Sequence, residues 1–218
     1  MFKGEVMQKK KIRAVIYIII TILIQSALYL LAKTISGETH IIGSALDDYI
    51  YFNYIGIIPY VLWYLLLFII PLYFYKKKKQ LYVKYILCYL LTSLLADIVF
   101  TIYPSEVIRP ELNGSGILHF ITNLIYSIDT PAVNCFPSLH CAVACLWILL
   151  SLEEKKIKVP YKIIICIVSV LIMISTLVIK QHVLVDVSGG IAIAIISYLI
   201  IANNVNFVFK VRKKIKLE

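Results

Sequence analysis

Six apolar stretches, at approximately 14–32, 55–75, 81–103, 138–152, 161–180 and 186–206, dominate this chain and leave it few ways to fold. A spanning helix needs roughly 20 mostly apolar residues to cross a hydrocarbon core of about 30 Å. Five of the stretches meet that length and the fourth is short. Lipid offers the backbone no hydrogen bonds, so such segments form helices rather than open strands. A hydrophobic content of 61% agrees, as does a mean hydropathy of +0.89, far above a soluble domain. The expected fold is all-α: an integral membrane bundle of six transmembrane helices. It forms a single domain over residues 1–218, with the motif-bearing part at about 97–206. The first apolar run exceeds the h-region of about 7–15 residues typical of a signal peptide, so it reads as a retained helix. Gly43-Ser44-Ala45 lies too far beyond that run to serve as its cleavage site.

A net charge of +10 raises the question of nucleic acid, and the positions of the charges answer it. Lys3, Lys9, Lys10, Lys11 and Arg13 precede the first apolar run, and Lys76 to Lys79 and Lys84 surround the second turn. Lys155, Lys156, Lys158 and Lys162 lie between the fourth and fifth runs, and Lys210, Arg212, Lys213, Lys214 and Lys216 follow the sixth. With six crossings these clusters share one side, which the positive-inside rule makes cytoplasmic, with both termini there. They suit anionic headgroups. No basic, aromatic-interleaved domain lies outside the membrane, so no nucleic-acid partner is expected. Lys33, Arg109 and Lys180 remain for the outer face.

The outer loops carry the chemistry. The first, about 33–54, holds Glu38, His40, Asp47 and Asp48, then Tyr49, Tyr51, Phe52 and Tyr54, an aromatic cluster suited to a membrane interface. The second, about 104–137, contains "ILHFITNLIYSI", apolar at helical spacing but too short to span. All four histidines, His40, His119, His140 and His182, fall on the outer side. The five cysteines form no CxxC pair. Cys135, His140 and Cys141 match no usual zinc spacing, so packing is the plainer role of Cys141 and Cys145.

Three stretches meet at the outer face in this topology: "YPSEVIRP" (103–110), "FPSLH" (136–140) and "STLVIKQHVLVD" (175–186). Pro137 suits a first helical turn. Ser138 then sits at a helix start, where N–H groups and a hydroxyl favour an anion, and His140 beside it can give or take a proton near neutral pH. His182 and Asp186 are four apart and share a helix face. A carboxylate that accepts from one imidazole nitrogen leaves the other free to attack phosphorus. Each feature alone has a plainer reading. Ser138 can simply cap, His140 can hydrogen-bond at the interface, the His182/Asp186 pair can be structural, and Arg109 can touch headgroups. Asp97 divides evenly between orienting Arg109 or a histidine and a polar contact between helices.

In order and spacing, these stretches resemble the signature of the type 2 phosphatidic acid phosphatase (PAP2) superfamily: Lys-x6-Arg-Pro, Pro-Ser-Gly-His, and Ser-Arg-x5-His-x3-Asp. Arg109-Pro110, Pro137-Ser138-x-His140 and Ser175-x6-His182-x3-Asp186 match it. By that resemblance His182 attacks phosphorus to form a phosphohistidine, Asp186 orients it and His140 protonates the leaving oxygen. Arg109 and Ser138, with the neighbouring Leu139 and Lys180, hold the phosphoryl group. Ser175 and Thr176 are further candidates, and no metal or cofactor is implied. The pattern's Lys falls on Ile102, its Gly on Leu139 and its second Arg on Thr176, which leaves Lys180 as the evident replacement cation. The forms "FPSLH" and "STLVIKQHVLVD" look like the branch that contains fungal inositol phosphorylceramide synthase, the Aur1-like inositolphosphotransferases.

A phosphomonoester dianion asks for more positive charge than a phosphodiester monoanion, so the missing cations favour a phospholipid headgroup linkage. The expected protein is a multi-pass plasma-membrane lipid phosphatase or phosphotransferase with an extracytoplasmic site. Its partners are the membrane and a lipid phosphate or phospholipid substrate. The alternative substrates are phosphatidate, phosphatidylglycerol phosphate or a polyprenyl (pyro)phosphate. The alternatives of another class are an inactive lipid-phosphate binder and a small carrier. A carrier calls for broken midplane helices and often a repeat, and the chain has its polar residues at helix ends instead.

Overall fold

The computed structural model describes residues 2–35 and 37–215. Residues 1, 36 and 216–218 lie outside the described residues, as do the side chains of 2–7, 9–10 and 206–215. Of the terminal basic clusters, Lys216 is therefore outside the description, and Lys3, Lys9, Lys10, Lys210, Arg212, Lys213 and Lys214 are described by backbone alone.

Seven α-helices are described: α1 (Phe2–Ile35), α2 (Ile57–Lys77), α3 (Lys79–Ile102), α4 (Ile117–Ile128), α5 (Leu139–Glu153), α6 (Val159–Val178) and α7 (Leu184–Ile215). Two residue pairs, β1 (His40–Ile41) and β2 (Ser105–Glu106), pair in parallel. Five helices, α1, α2, α3, α6 and α7, are long and apolar enough to cross a membrane. Their outward faces stay apolar, as at Leu23, Leu65, Ile167 and Leu199. So much exposed apolar surface needs lipid to cover it.

The short fourth stretch becomes α5, and its burial explains its length. Fifteen residues rise only about 22 Å at 1.5 Å each. Every residue from Cys141 to Trp147 is buried, because α3, α6 and α7 pack around this helix. A helix walled in by protein does not need to match the bilayer thickness. Ser138 starts it, accepting from the Cys141 N–H at 3.4 Å.

The bundle has two distinct ends. At one, the single residue Lys78 separates α2 from α3. Lys78 pairs there with Glu154 at 3.0 Å and Lys84 with Glu153 at 2.5 Å, which ties the α2–α3 turn to the end of α5. At the other end the chain between α3 and α5 folds over the helix mouths. Helix α4 packs Leu118, Ile121 and Ile125 against Ile57, Tyr60 and Ile179. Ser105, fully buried, joins three segments. Its strand pairs with His40, its carbonyl accepts from the Cys135 N–H at 3.3 Å, and its Oγ accepts from the Phe136 N–H at 2.7 Å.

Candidate active site

The C-terminus of α6 and the start of α7 form one tight turn. The Gln181 and His182 N–H groups both donate to the Thr176 carbonyl, at 3.0 and 3.1 Å. Lys180 takes the left-handed conformation there (φ 53°). The turn sets His182 one helical turn before Asp186, and His182 Nδ1 lies 3.1 Å from Asp186 Oδ2. The same carboxylate oxygen accepts from the Val183 N–H at 3.0 Å, so Asp186 is fixed before it fixes the imidazole. Nε2 of His182 has no hydrogen-bond partner among the described residues.

The α5 mouth is brought against this turn by close packing. The Ser138 N–H donates to the Asp186 carbonyl at 3.0 Å. A Cβ at Gly190 would collide with the Ser138 carbonyl oxygen, and one at Gly189 with the Phe136 ring. Two adjacent glycines therefore let α7 approach α5 closely, which brings the turn that carries His182 to His140. The rings of His140 and His182 are 6.1 Å apart between centroids. His140 lies against Tyr60 at 4.4 Å and Trp63 at 4.1 Å, which fixes its plane. Its Nε2 is buried and has no partner among the described residues.

Both histidines line a cavity of about 380 Å³. Leu139, Asn134, Gln181, Asp129 and a wall of Tyr29, Tyr60, Trp63, Tyr64 and Phe100 line it too. Arg109 sits behind that wall. Its Nη2 donates to Asp129 Oδ2 and to Gln181 Oε1, each at 2.5 Å. Its Nη1 donates to the Asp129 carbonyl at 3.1 Å, and its guanidinium lies 4.8 Å from the Tyr126 ring centroid.

Several sequence candidates lie elsewhere. Lys180 does not reach the cavity; its Nζ donates to the Asp47 carbonyl at 2.8 Å. Asp47 clamps this corner, accepting from the Leu184 N–H at 2.8 Å and from Ser44 N–H and Oγ. Burial pushes its carboxyl up, but these donors outweigh burial and hold it below the usual carboxylate range. Ser175 and Thr176 are buried with hydroxyls bonded to their own helix, to the Ile172 and Met173 carbonyls, a common use of such residues in helices. Ser138 is a buried cap and is absent from the cavity wall. Asp97 is buried in α3 away from that wall; the carboxylate on Arg109 is Asp129 instead. Ile102 is 77% exposed and does not line the cavity.

Other groups had no motif to mark them. Lys33 of α1 lines the cavity and donates to the Pro131 carbonyl at 3.0 Å. Tyr29 OH donates to Asp129 Oδ1 at 3.2 Å. Their spacing along α1 follows the helical repeat, but only the tertiary fold says what that face meets. Gln181 stands within the third stretch, Asn134 lies two residues before the second, and Asp129 directly follows "ILHFITNLIYSI".

Comparison with curated proteins and with solved structures finds no match. A family model described as the PAP2 superfamily matches residues 77–210, which takes in all three stretches. The matched segment runs from the α2–α3 turn into α7 and takes in most of the chain, Arg109, His140, His182 and Asp186 included. The chain belongs to the PAP2 superfamily, whose members are phosphatases and phosphotransferases of lipid phosphates.

Proposed function

We propose that this protein transfers the phosphoryl group of a membrane phosphodiester through a phosphohistidine on His182. The observation that carries the reading is the imidazole of His182, held at Nδ1 by Asp186 and unengaged at Nε2, 6.1 Å from the ring of His140. Nε2 of His182 attacks phosphorus, and the bond from phosphorus to the leaving alkoxide breaks. His140 gives that oxygen its proton. An acceptor hydroxyl then attacks phosphorus, forming the new O–P bond as the N–P bond breaks, losing its proton to His140 and restoring His182.

A diester substrate is supported by the sparse positive charge. Arg109 is already paired with Asp129, Lys180 is engaged with Asp47, and neither Ile102 nor Thr176 is cationic. This pattern fits the Aur1-like branch and transfer of a phospholipid headgroup, with no metal or cofactor. Lys33 at the cavity wall favours the second reading, hydrolysis of a monoester such as phosphatidate or a polyprenyl phosphate. Six crossings, with α5 as the sixth, put the basic end and both termini in the cytoplasm and the cavity on the extracytoplasmic side of a plasma membrane.

The test is a lipid panel assayed for phosphate release from phosphatidate and for headgroup transfer from intact phospholipids, with wild type and His182→Ala. Transfer that vanishes in the variant is expected. Fast monoester hydrolysis without transfer refutes the diester reading, and undiminished activity of the variant removes the nucleophile.

A further inference from the structure

Two side-chain amides in the cavity wall have unmet hydrogen bonds. Asn134 is 4% exposed, and neither its Nδ2 nor its Oδ1 has a partner among the described residues. Gln181 is 2% exposed; its Oε1 is taken by Arg109, and its Nε2 is unpartnered. Buried amides without partners are costly, and structures rarely keep them unless something else supplies the bond. Here both line the same cavity as His140 and His182.

Both are held in place. Asn134 adopts φ 59°, which Asn tolerates better than most residues. The residues around it are pinned: Val133 bridges to Glu106, and Cys135 and Phe136 both donate to Ser105. Arg109 fixes which way the Gln181 amide lies, because its N–H must meet Oε1. The Gln181 NH₂ group is then a donor with no acceptor.

We infer that the amides of Asn134 and Gln181 hold the non-bridging oxygens of the substrate phosphodiester. They provide neutral donors where the superfamily pattern provides cations. A monoanion sharing its charge over two oxygens matches two neutral NH₂ donors backed by one partly neutralised guanidinium. A dianion gains less from them. The inference rests on the phosphoryl-transfer reading of this cavity and names its oxygen subsite.

The experiment uses the full chain in detergent and needs no turnover. Dimethyl phosphate is titrated against diethyl pyrocarbonate, and modification of His182 is read by mass spectrometry. Dimethyl phosphate should protect His182 in the wild type. Gln181→Glu keeps the acceptor for Arg109 and loses the donor. Asn134→Gly keeps the backbone conformation and loses the amide. Each should raise the protecting concentration about tenfold, and Asn134→Asp should raise it further. Thermal melts check folding; should Asn134→Asp not fold, Asn134→Gly carries the test. Equal protection of wild type, Gln181→Glu and Asn134→Gly overturns the subsite. Amide-dependent protection in a protein that turns over no lipid overturns the enzymatic reading and leaves the subsite standing. Turnover through His182 that both variants leave unchanged does the reverse.

Discussion

The two ends of the bundle differ in how many polar atoms they leave buried and open. At the basic end buried charge is paired within the chain: Lys84, with 3% of its side chain exposed, meets Glu153, and Glu154 meets Lys78 and the Lys156 N–H at 3.0 Å. At the other end His140 Nε2, both polar atoms of Asn134, Gln181 Nε2, Arg109 Nε and Asp186 Oδ1 are buried without partners. Open buried atoms occur elsewhere among the described residues too, at Tyr73 near the basic end and at Ser169 and Ser197 within the helices, but Asn134, His140 and Gln181 converge on one cavity. Leaving them open sacrifices stability around a cavity, which is the mark of a site made for something that is not protein. On the proposed reading, the difference separates residues kept for stability from residues kept for chemistry.

The sharpest way to break that contrast is Asp186→Asn. The amide can still accept from Val183 but no longer fixes the correct imidazole tautomer. Turnover should fall about 10²–10⁴-fold with little change in melting temperature, and a loss of folding in place of activity would make Asp186 a structural residue. Next is Gly190→Ala. A methyl pressed onto the Ser138 carbonyl must push α7 from α5, and a shift on the order of 1 Å at reacting groups costs up to about 100-fold in rate. Full activity would show that the close approach is not what aligns the histidines.

At the basic end the expected effects are on stability alone. Lys84→Met leaves Glu153 without its ammonium, although Tyr198 OH still donates to it at 3.1 Å and its side chain is 32% exposed. The loss should reach about 2–3 kcal/mol, below the range for fully buried pairs, with kcat unchanged. The smallest effect is a pH dependence. Burial pushes the Glu154 carboxyl up, but the Lys156 N–H and the Lys78 ammonium outweigh it and hold the group below its usual range. A depressed carboxylate stabilises the fold above its unfolded pKa of about 4.3, and the contribution is lost as pH falls through the lower folded value. Melting temperature should therefore drop on acidification below about pH 4.3, less so in Glu154→Gln, and an identical profile in both would remove the effect.

The long helices were readable because apolar length is a local property. Their ends were less so. Helix α1 begins at Phe2, well before the apolar run at 14, since lysine and arginine are good helix formers outside lipid. The α2–α3 turn shrinks to Lys78 alone. In the site, His140, His182 and Asp186 stood out because their spacing within motifs is short. The pairing of Arg109 with Asp129, twenty residues on, follows from how loop 2 folds back, which no local pattern encodes. The placement of Lys180 is equally non-local: its proximity in sequence to His182 says nothing of the left-handed turn that sends it to Asp47. Lys33, 149 positions before His182 in the chain, reaches the cavity only because α1 packs there.

The most direct test of the central claim is the mass of whatever is bound to His182 after brief exposure to phospholipids and rapid quenching at neutral pH. A headgroup-phosphoryl adduct on His182, absent from His182→Ala, is the predicted result, and a bare phosphoryl adduct would move the substrate to a monoester. Turnover with His182 unmodified and another residue carrying the adduct would contradict the account.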